Sequence, residues 1–149
     1  MAWVSFLKQK SDTATAIQTF IATSERQFST CILCFKSDHG REYINTEMLW
    51  FFHRTGIRHE PTPPYSHESN GIPERYNRTI QTMMRAMLLN LDKRLWAEAC
   101  TTSVYLRNRL PHSSLQDKTP FEVLYNTKPT ISHLQPFGIP CYIHIPEER

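Results

Sequence analysis

Residues 30 to 35 read Thr-Cys-Ile-Leu-Cys-Phe, an apolar run of strand length that ends in the polar stretch Lys36-Ser-Asp-His-Gly40. A strand with no polar alternation has no side to offer to water and is covered on both faces. The neighbouring sequence supplies candidates for those layers. Trp3 to Leu7 reads as a short strand, and Ser11 or Asp12 can cap a helix whose Ala16, Ile17, Phe20, Ile21 and Phe28 recur at helical spacing. Glu42 to Thr55 reads as a second helix that Gly56 ends in the left-handed conformation, and Ile57 to Glu60 as a short strand. Pro61 to Asn70, rich in Pro, Ser and His, reads as a loop.

A long helix is expected from Asn70-Gly71, with Pro73 in its first turn, where a missing N–H costs nothing. Ile72, Tyr76, Ile80, Met83 and Met87 share one face of it, and Arg75, Arg78, Thr82 and Arg85 another. Asp92 can cap a helix containing Trp96, Ala99, Cys100, Ser103 and Leu106. Thr119-Pro-Phe-Glu122 is a capping box with proline at the first helical position, and Pro140 to Pro146 reads as a last strand. Strand and helix alternate and extra helices follow, so the expected class is α/β.

At 149 residues the chain suits one domain with a core of its own. Its net charge of +3 is concentrated: from Gly71 to Arg109, seven bases (Arg75, Arg78, Arg85, Lys93, Arg94, Arg107, Arg109) face three acids (Glu74, Asp92, Glu98). Such a surface suits a polyanion, although a solvated helix face has the same composition. Cys31-Ile-Leu-Cys34 has the form of a CxxC, but residues three apart on a strand point to opposite faces, and no second Cys or His pair completes a zinc set. A redox or zinc role would need both sulfurs on one side; buried, reduced thiols are the expectation. No run reaches transmembrane length and no signal peptide is recognisable, so an intracellular protein with no membrane partner is expected. The sequon Asn77-Arg-Thr79 falls inside the long helix and is discounted.

Two carboxylates stand out. Asp38 closes the apolar strand, and Glu74 falls in the expected first turn of the long helix, with thirty-five residues between them. Ligands gather outside the carboxyl ends of strands in open α/β sheets. A first-turn glutamate is kept ionised by the helix dipole and points back past the helix start. Converging carboxylates would suit Mg²⁺, which prefers oxygen. Each residue also has an ordinary reading, Asp38 as a turn former and Glu74 as a dipole partner.

Ser37-Asp38-His-Gly-Arg-Glu-Tyr43 resembles the second-Asp motif of retroviral and copia-type integrases, and Ser69-Asn-Gly-Ile-Pro-Glu74-Arg75-Tyr-Asn77-Arg78-Thr79 resembles the motif around their catalytic Glu. The spacing between the two carboxylates is also the one that family's Asp, Asp, Glu signature specifies. Leu95-Trp-Ala-Glu-Ala99, Tyr105-Leu-Arg-Asn-Arg-Leu-Pro111, Lys118-Thr-Pro-Phe-Glu122 and His133-Leu-Gln-Pro-Phe-Gly138 resemble further copia-type blocks, so the similarity runs along nearly the whole chain. The resemblance implies a ribonuclease H-like fold, with a mixed sheet flanked by helices. It implies an integrase core over 1–125 and a C-terminal extension over 126–149 with a short strand. It also implies joining of retroelement DNA ends to target DNA in the nucleus by a homo-oligomer. Asp38 and Glu74 would be catalytic metal ligands for Mg²⁺ or Mn²⁺ in a two-metal site. Arg75, Arg78 and Arg85 would meet DNA phosphates, and Asn77 would reach DNA or orient Glu74.

The family's first Asp belongs on a strand upstream of Trp3 to Leu7, where this chain offers no residue, and Asp12 reads as a helix cap. The site is therefore expected to be incomplete, the sheet to lack its first strand, and the isolated chain to be inactive in strand transfer. The alternative, from a different class, is a non-catalytic nucleic-acid-binding or dimerisation module derived from an integrase.

Overall fold

The computed structural model describes residues 1–62, 67–142 and 144, with the backbone alone for 67–70. It contains α1 (Thr13–Phe28), β1 (Cys34–Ser37), α2 (Thr46–Thr55), β2 (Arg58–Pro61), α3 (His67–Met87), α4 (Trp96–Arg109) and α5 (Pro120–Tyr125). Short 3-10 turns cover Lys10–Asp12, Lys93–Leu95 and Ser113–Leu115. The chain divides into two compact units, Ser5–Arg75 and Met1–Val4 with Tyr76–Arg149. The class is α/β, as expected.

In the unit Ser5–Arg75, β1, α2 and β2 form a parallel crossover, with Cys34 opposite Arg58, Phe35 opposite His59, Lys36 opposite Glu60 and Ser37 opposite Pro61. Arg58 N–H donates to Leu33 O (3.0 Å) and Thr62 N–H to Ser37 O (2.8 Å), extending the pairing by a residue at each end. Phe35 turns inward, 5.1 Å between ring centroids from Phe52. The core collects Ala14 and Ile21 of α1, Met48, Phe51 and Phe52 of α2, and Ile57, with Ile17, Ile32 and Phe35 against them. Asn45 caps α2, its Oδ1 accepting from Met48 N–H (2.8 Å), which starts the helix at Thr46 and not at Glu42. Gly56 ends it with φ +72°, as the sequence predicts.

Several expectations give way here. Among the described residues the sheet has two parallel strands and is not mixed. The apolar run pairs only from Cys34 onward because β2 offers four partner residues; Ile32 N–H goes instead to Glu25 Oε1 (2.8 Å). Burial on both faces is not found: Lys36 of β1 lies in the open, 3.4 Å from Glu60, and Leu33, just before the strand, is 76% exposed. Trp3 to Leu7 forms no ladder, since an extended segment becomes a strand only against a partner strand. Asp12 accepts from Gln9 N–H (3.1 Å), closing the 3-10 turn before α1, and makes no side-chain cap on α1 itself. All four cysteines are free, Cys31 and Cys141 exposed and Cys34 and Cys100 half-buried, so the burial expected of the Cys31 and Cys34 thiols is not found.

The long helix starts at His67, a turn earlier than Asn70-Gly71. Pro73 therefore sits inside α3 and not in its first turn, where its ring costs the helix one hydrogen bond. Ile72, expected on the apolar face, is 82% exposed. Part of the expected loop, residues 63–66, lies outside the described residues.

In the other unit, Ile80 of α3 and Ala99 and Val104 of α4 are buried beside the polar Ser103, Asn108 and Thr119. Ser103 Oγ donates to Ala99 O (2.7 Å). Asn108 pairs with the Ala2 backbone in both directions, accepting from its N–H (2.9 Å) and donating to its C=O (2.7 Å). Asp92 caps the turn leading into α4 by accepting from Arg94 N–H (2.9 Å). Thr119 and Glu122 form the expected capping box at α5, with both bonds at 3.0 Å. Tyr105 OH meets His133 Nε2 at 2.8 Å and ties the irregular C-terminal stretch to α4. Gly138 (φ +86°) lies so close to Leu91 that a Cβ there would fall 2.5 Å from its methyl group. Of the expected strand Pro140 to Pro146, residues 143, 145 and 146 lie outside the described residues, and 140–142 and 144 form no ladder.

Candidate functional site

Asp38 follows β1 directly, at the edge where both parallel strands end, and it is exposed. Its Oδ1 accepts from Gly40 N–H (3.1 Å), while Oδ2 accepts no hydrogen bond from a described residue. The turn is held from behind. Ser37 Oγ donates to Asp38 O (2.9 Å), and Ser37 O accepts from both Thr62 N–H (2.8 Å) and Thr62 Oγ1 (3.0 Å).

Glu74 lies on α3 with its side chain exposed, in the same compact unit as Asp38. Because α3 begins at His67, Glu74 sits two turns in, beyond the reach of the N-terminal partial charge, which fades within the first turn. The dipole argument for its ionisation is thereby overturned.

Sequence reasoning missed the residues standing nearest Asp38. The Glu42 side chain folds back over this turn, its carboxyl carbon lying 2.8 Å from where a Cβ on Gly40 would stand. Burial pushes the Tyr43 phenol above its ordinary value, and the charges of Asp38 and then Glu42 push it further. Tyr43 in turn leans on Phe35, 6.3 Å between centroids. Alternation with the apolar Ile57 would have put His59 on the covered face of β2, but nothing in the sequence pairs it with Ser37.

The donor chemistry fits a hard divalent cation, because Mg²⁺ keeps several waters and is commonly held by one or two carboxylates. Asp38 and Glu74 are both carboxylates open to solvent, and Asp38 has an oxygen to spare. Among the described residues no group of three or more His, Cys, Asp or Glu closes round a metal.

On the same helix as Glu74, Arg75, Asn77, Arg78 and Arg85 are all exposed. Arg75, Arg78 and Arg85 follow one another at helical spacing on one face. Two other bases of the segment are engaged elsewhere. Arg109 lies over the Tyr105 ring (3.5 Å from its centroid) and the Phe121 ring (4.8 Å), a packing role. Arg94 is held by Asp92 at 2.6 Å, and that bond keeps the carboxyl below its usual range. Among the described residues no helix is long and apolar enough to cross a membrane.

This crossover with an acid at its strand end and a basic helix after it is the fold of retroviral integrase catalytic cores. The HTLV-2 integrase catalytic core domain, solved in complex with magnesium, superposes with a TM-score of 0.59 at 21% identity, over 81% of this chain and 74% of that one. The BIV integrase catalytic core domain gives 0.57 at 20% identity, over 85% and 77%. A chain of the simian T-cell lymphotropic virus intasome, solved in complex with the PP2A regulatory subunit B56 gamma, gives 0.61 at 21%, over 89% and 46%. By sequence the chain is similar, along nearly its whole length, to a stretch of copia-type retrotransposon Pol polyproteins. It is 38% identical over 149 residues to the Retrovirus-related Pol polyprotein from transposon TNT 1-94 of Nicotiana tabacum, which covers 99% of this chain and 11% of that protein. Identity to the polyprotein from transposon RE1 of Arabidopsis thaliana is also 38%, over 143 residues, 94% of this chain and 10% of that protein. The chain thus spans about a tenth of the length of the curated relatives it matches. No family model matches it.

Proposed function

We propose that this chain is the carboxylate-bearing and DNA-facing part of an integrase core that joins retroelement DNA ends to target DNA. The observation that carries the reading is the placement of Asp38 at the carboxyl edge of two parallel strands, β1 and β2. That edge is where ligands collect in open α/β sheets. The helix bearing Glu74 follows β2, starting five residues after Thr62, whose N–H is bound to Ser37 O.

Asp38 and Glu74 would hold Mg²⁺ or Mn²⁺, as catalytic ligands of a two-metal site in the intact family. When bound, the cation supplies Lewis-acid polarisation and neutralises charge at a phosphoryl group. Arg75, Arg78 and Arg85 grip phosphates, which fixes the register of a DNA end without reading its sequence. Asn77 reaches DNA or steadies Glu74 from the same helix. The assignment covers 1–125 as the core and 126–149 as an extension, working in the nucleus within a homo-oligomer on DNA.

The test has two readouts. Mn²⁺ should raise the thermal midpoint of the wild-type chain, and the increment should vanish in Asp38→Asn and in Glu74→Gln. A DNA duplex should bind with a steep salt dependence that flattens when Arg75, Arg78 and Arg85 are replaced by Ala, by about one unit of log–log slope for each phosphate no longer neutralised. Mn²⁺ stabilisation that survives both carboxylate substitutions, or is absent throughout, overturns the metal reading. If DNA binding persists in that case, the chain is a nucleic-acid-binding module derived from an integrase.

A further inference from the structure

Asp38 is exposed, yet its conformation is more tightly specified than a surface turn requires. The peptide group before it is fixed through Ser37 O, which accepts from Thr62 N–H (2.8 Å) and Thr62 Oγ1 (3.0 Å). The peptide group after it is fixed through Asp38 O, which accepts from Ser37 Oγ (2.9 Å). Its own carboxylate is turned by Gly40 N–H at 3.1 Å. Backbone on both sides and side chain are therefore set before any ligand arrives.

Behind Ser37 stands His59, with Nε2 at 2.9 Å from the hydroxyl oxygen. A serine hydroxyl has one proton and a carbonyl oxygen can only accept, so for both contacts to be hydrogen bonds at once that proton goes to Asp38 O. The imidazole must then donate, which makes neutral His59 the Nε2–H tautomer with Nδ1 bare. The ring has little freedom to turn away. It stacks on Phe52 (centroids 5.0 Å apart, planes at 25°) and lies 6.1 Å from Phe35. Phe52 is itself 2% exposed, in the middle of the core. A chain of contacts thus runs from the packed core through an imidazole N–H and a hydroxyl to the turn that carries the carboxylate. Neither the helix faces nor the spacing of the acids accounts for this relay.

We propose that His59, acting through the Ser37 hydroxyl, is a positioning residue that presets the Asp38 carboxylate to receive a divalent cation. The inference rests on the reading of Asp38 as a cation ligand. Such outer hydrogen bonds orient ligands and tune them, and losing one costs about 10- to 100-fold in metal affinity. Since His59 acts at one remove from Asp38, the low end applies, about tenfold.

Nitrogen NMR of the imidazoles at mildly alkaline pH should show His59 protonated at Nε2, and a ring protonated at Nδ1 overturns the relay without any metal present. Mn²⁺ affinity, read from the paramagnetic resonance of the free ion, should then fall about tenfold in His59→Phe, which keeps an aromatic ring on Phe52 but loses the donor. Ser37→Ala should fall alike. His59→Gln, whose amide N–H can reach the hydroxyl, should recover most of the affinity, a rescue that a packing role alone would not give. If His59→Phe and Ser37→Ala bind Mn²⁺ as the wild type does while Asp38→Asn does not, the positioning proposal fails and the cation reading stands. If Asp38→Asn binds like the wild type, the cation reading fails and takes this inference with it.

Discussion

In the unit Ser5–Arg75 every fully buried described side chain is apolar: Ala14, Ile21, Met48, Phe51, Phe52 and Ile57. In the unit of Met1–Val4 and Tyr76–Arg149, three of the six buried side chains are polar, with Ser103, Asn108 and Thr119 beside Ile80, Ala99 and Val104. The first is stabilised by apolar area removed from water, a term that varies with volume and tolerates partial loss. The second depends on hydrogen bonds whose partners, once removed, leave polar groups stranded in a dry place. The acid at the strand end is thus built on the unit whose buried described side chains are all apolar. The other part uses polar side chains as clamps: Asn108 on an extended backbone, Thr119 on a helix start, Ser103 on its own helix.

The contrast can be broken most sharply at Phe52. Phe52→Ala removes the ring on which both Phe35 and His59 stack, and should cost about 3–5 kcal/mol of unfolding free energy in urea denaturation. A loss below about 1 kcal/mol would mean that aromatic packing does not hold this unit. Next in size is Asn108→Ala. Two bonds to the Ala2 backbone disappear from a site where Asn108 is only 4% exposed, and a cost of about 2 kcal/mol is expected. Hydrogen exchange should show Ala2 N–H losing protection; an unchanged amide would show that the clamp is not the anchor.

Smaller still is the α5 cap. Thr119→Ala removes one bond of the capping box and should cost about 1 kcal/mol. Its partner gives this unit a pH signature. The Thr119 backbone N–H holds the Glu122 carboxyl below its ordinary range. A depressed folded pKa means that the contribution is present above the free carboxylate value and is lost as pH falls through the depressed one. Glu122→Gln should flatten that acid limb in a pH series of thermal midpoints. The least effect is expected at Tyr43, where burial and then Asp38 raise the phenol. There the sign is reversed: the neutral phenol is favoured, and its contribution is lost as pH rises through the raised pKa. Asp38→Asn should bring the Tyr43 titration, followed by ultraviolet absorbance against Tyr43→Phe, part of the way back toward free tyrosine. No movement would separate Tyr43 from the carboxylate turn.

Local chemistry was legible where it closes on itself within a few residues. The Thr119–Glu122 box and the Gly56 stop need only neighbours in sequence, and both occur as read. The helix through residues 67–87 was legible as a period, but its start was not. The Pro, Ser and His residues before Gly71 resemble loop sequence, and proline at position 73 reads as a first-turn residue, yet the helix already runs from His67. That displaced Glu74 from the helix end and removed one argument for its charge. The apolar run before Asp38 has the composition of a strand covered on both sides, but burial on both sides is not found, because burial depends on what else packs there.

What the amino-acid order determined alone was the central alternation of helix and strand from α1 to α5, the stop of α2 and the cap of α5, and the placing of an acid directly after a strand and a glutamate on a basic helix. These follow from backbone geometry and side-chain reach over a turn or two. What tertiary structure decided was which strand edge finds a partner, which face of the sheet stays wet, and that His59 comes to lie against Ser37 behind the acid. Those pairings join residues 22 to 24 positions apart. Only a closed core brings such residues together, since closing so long a loop costs entropy that local preference does not offset.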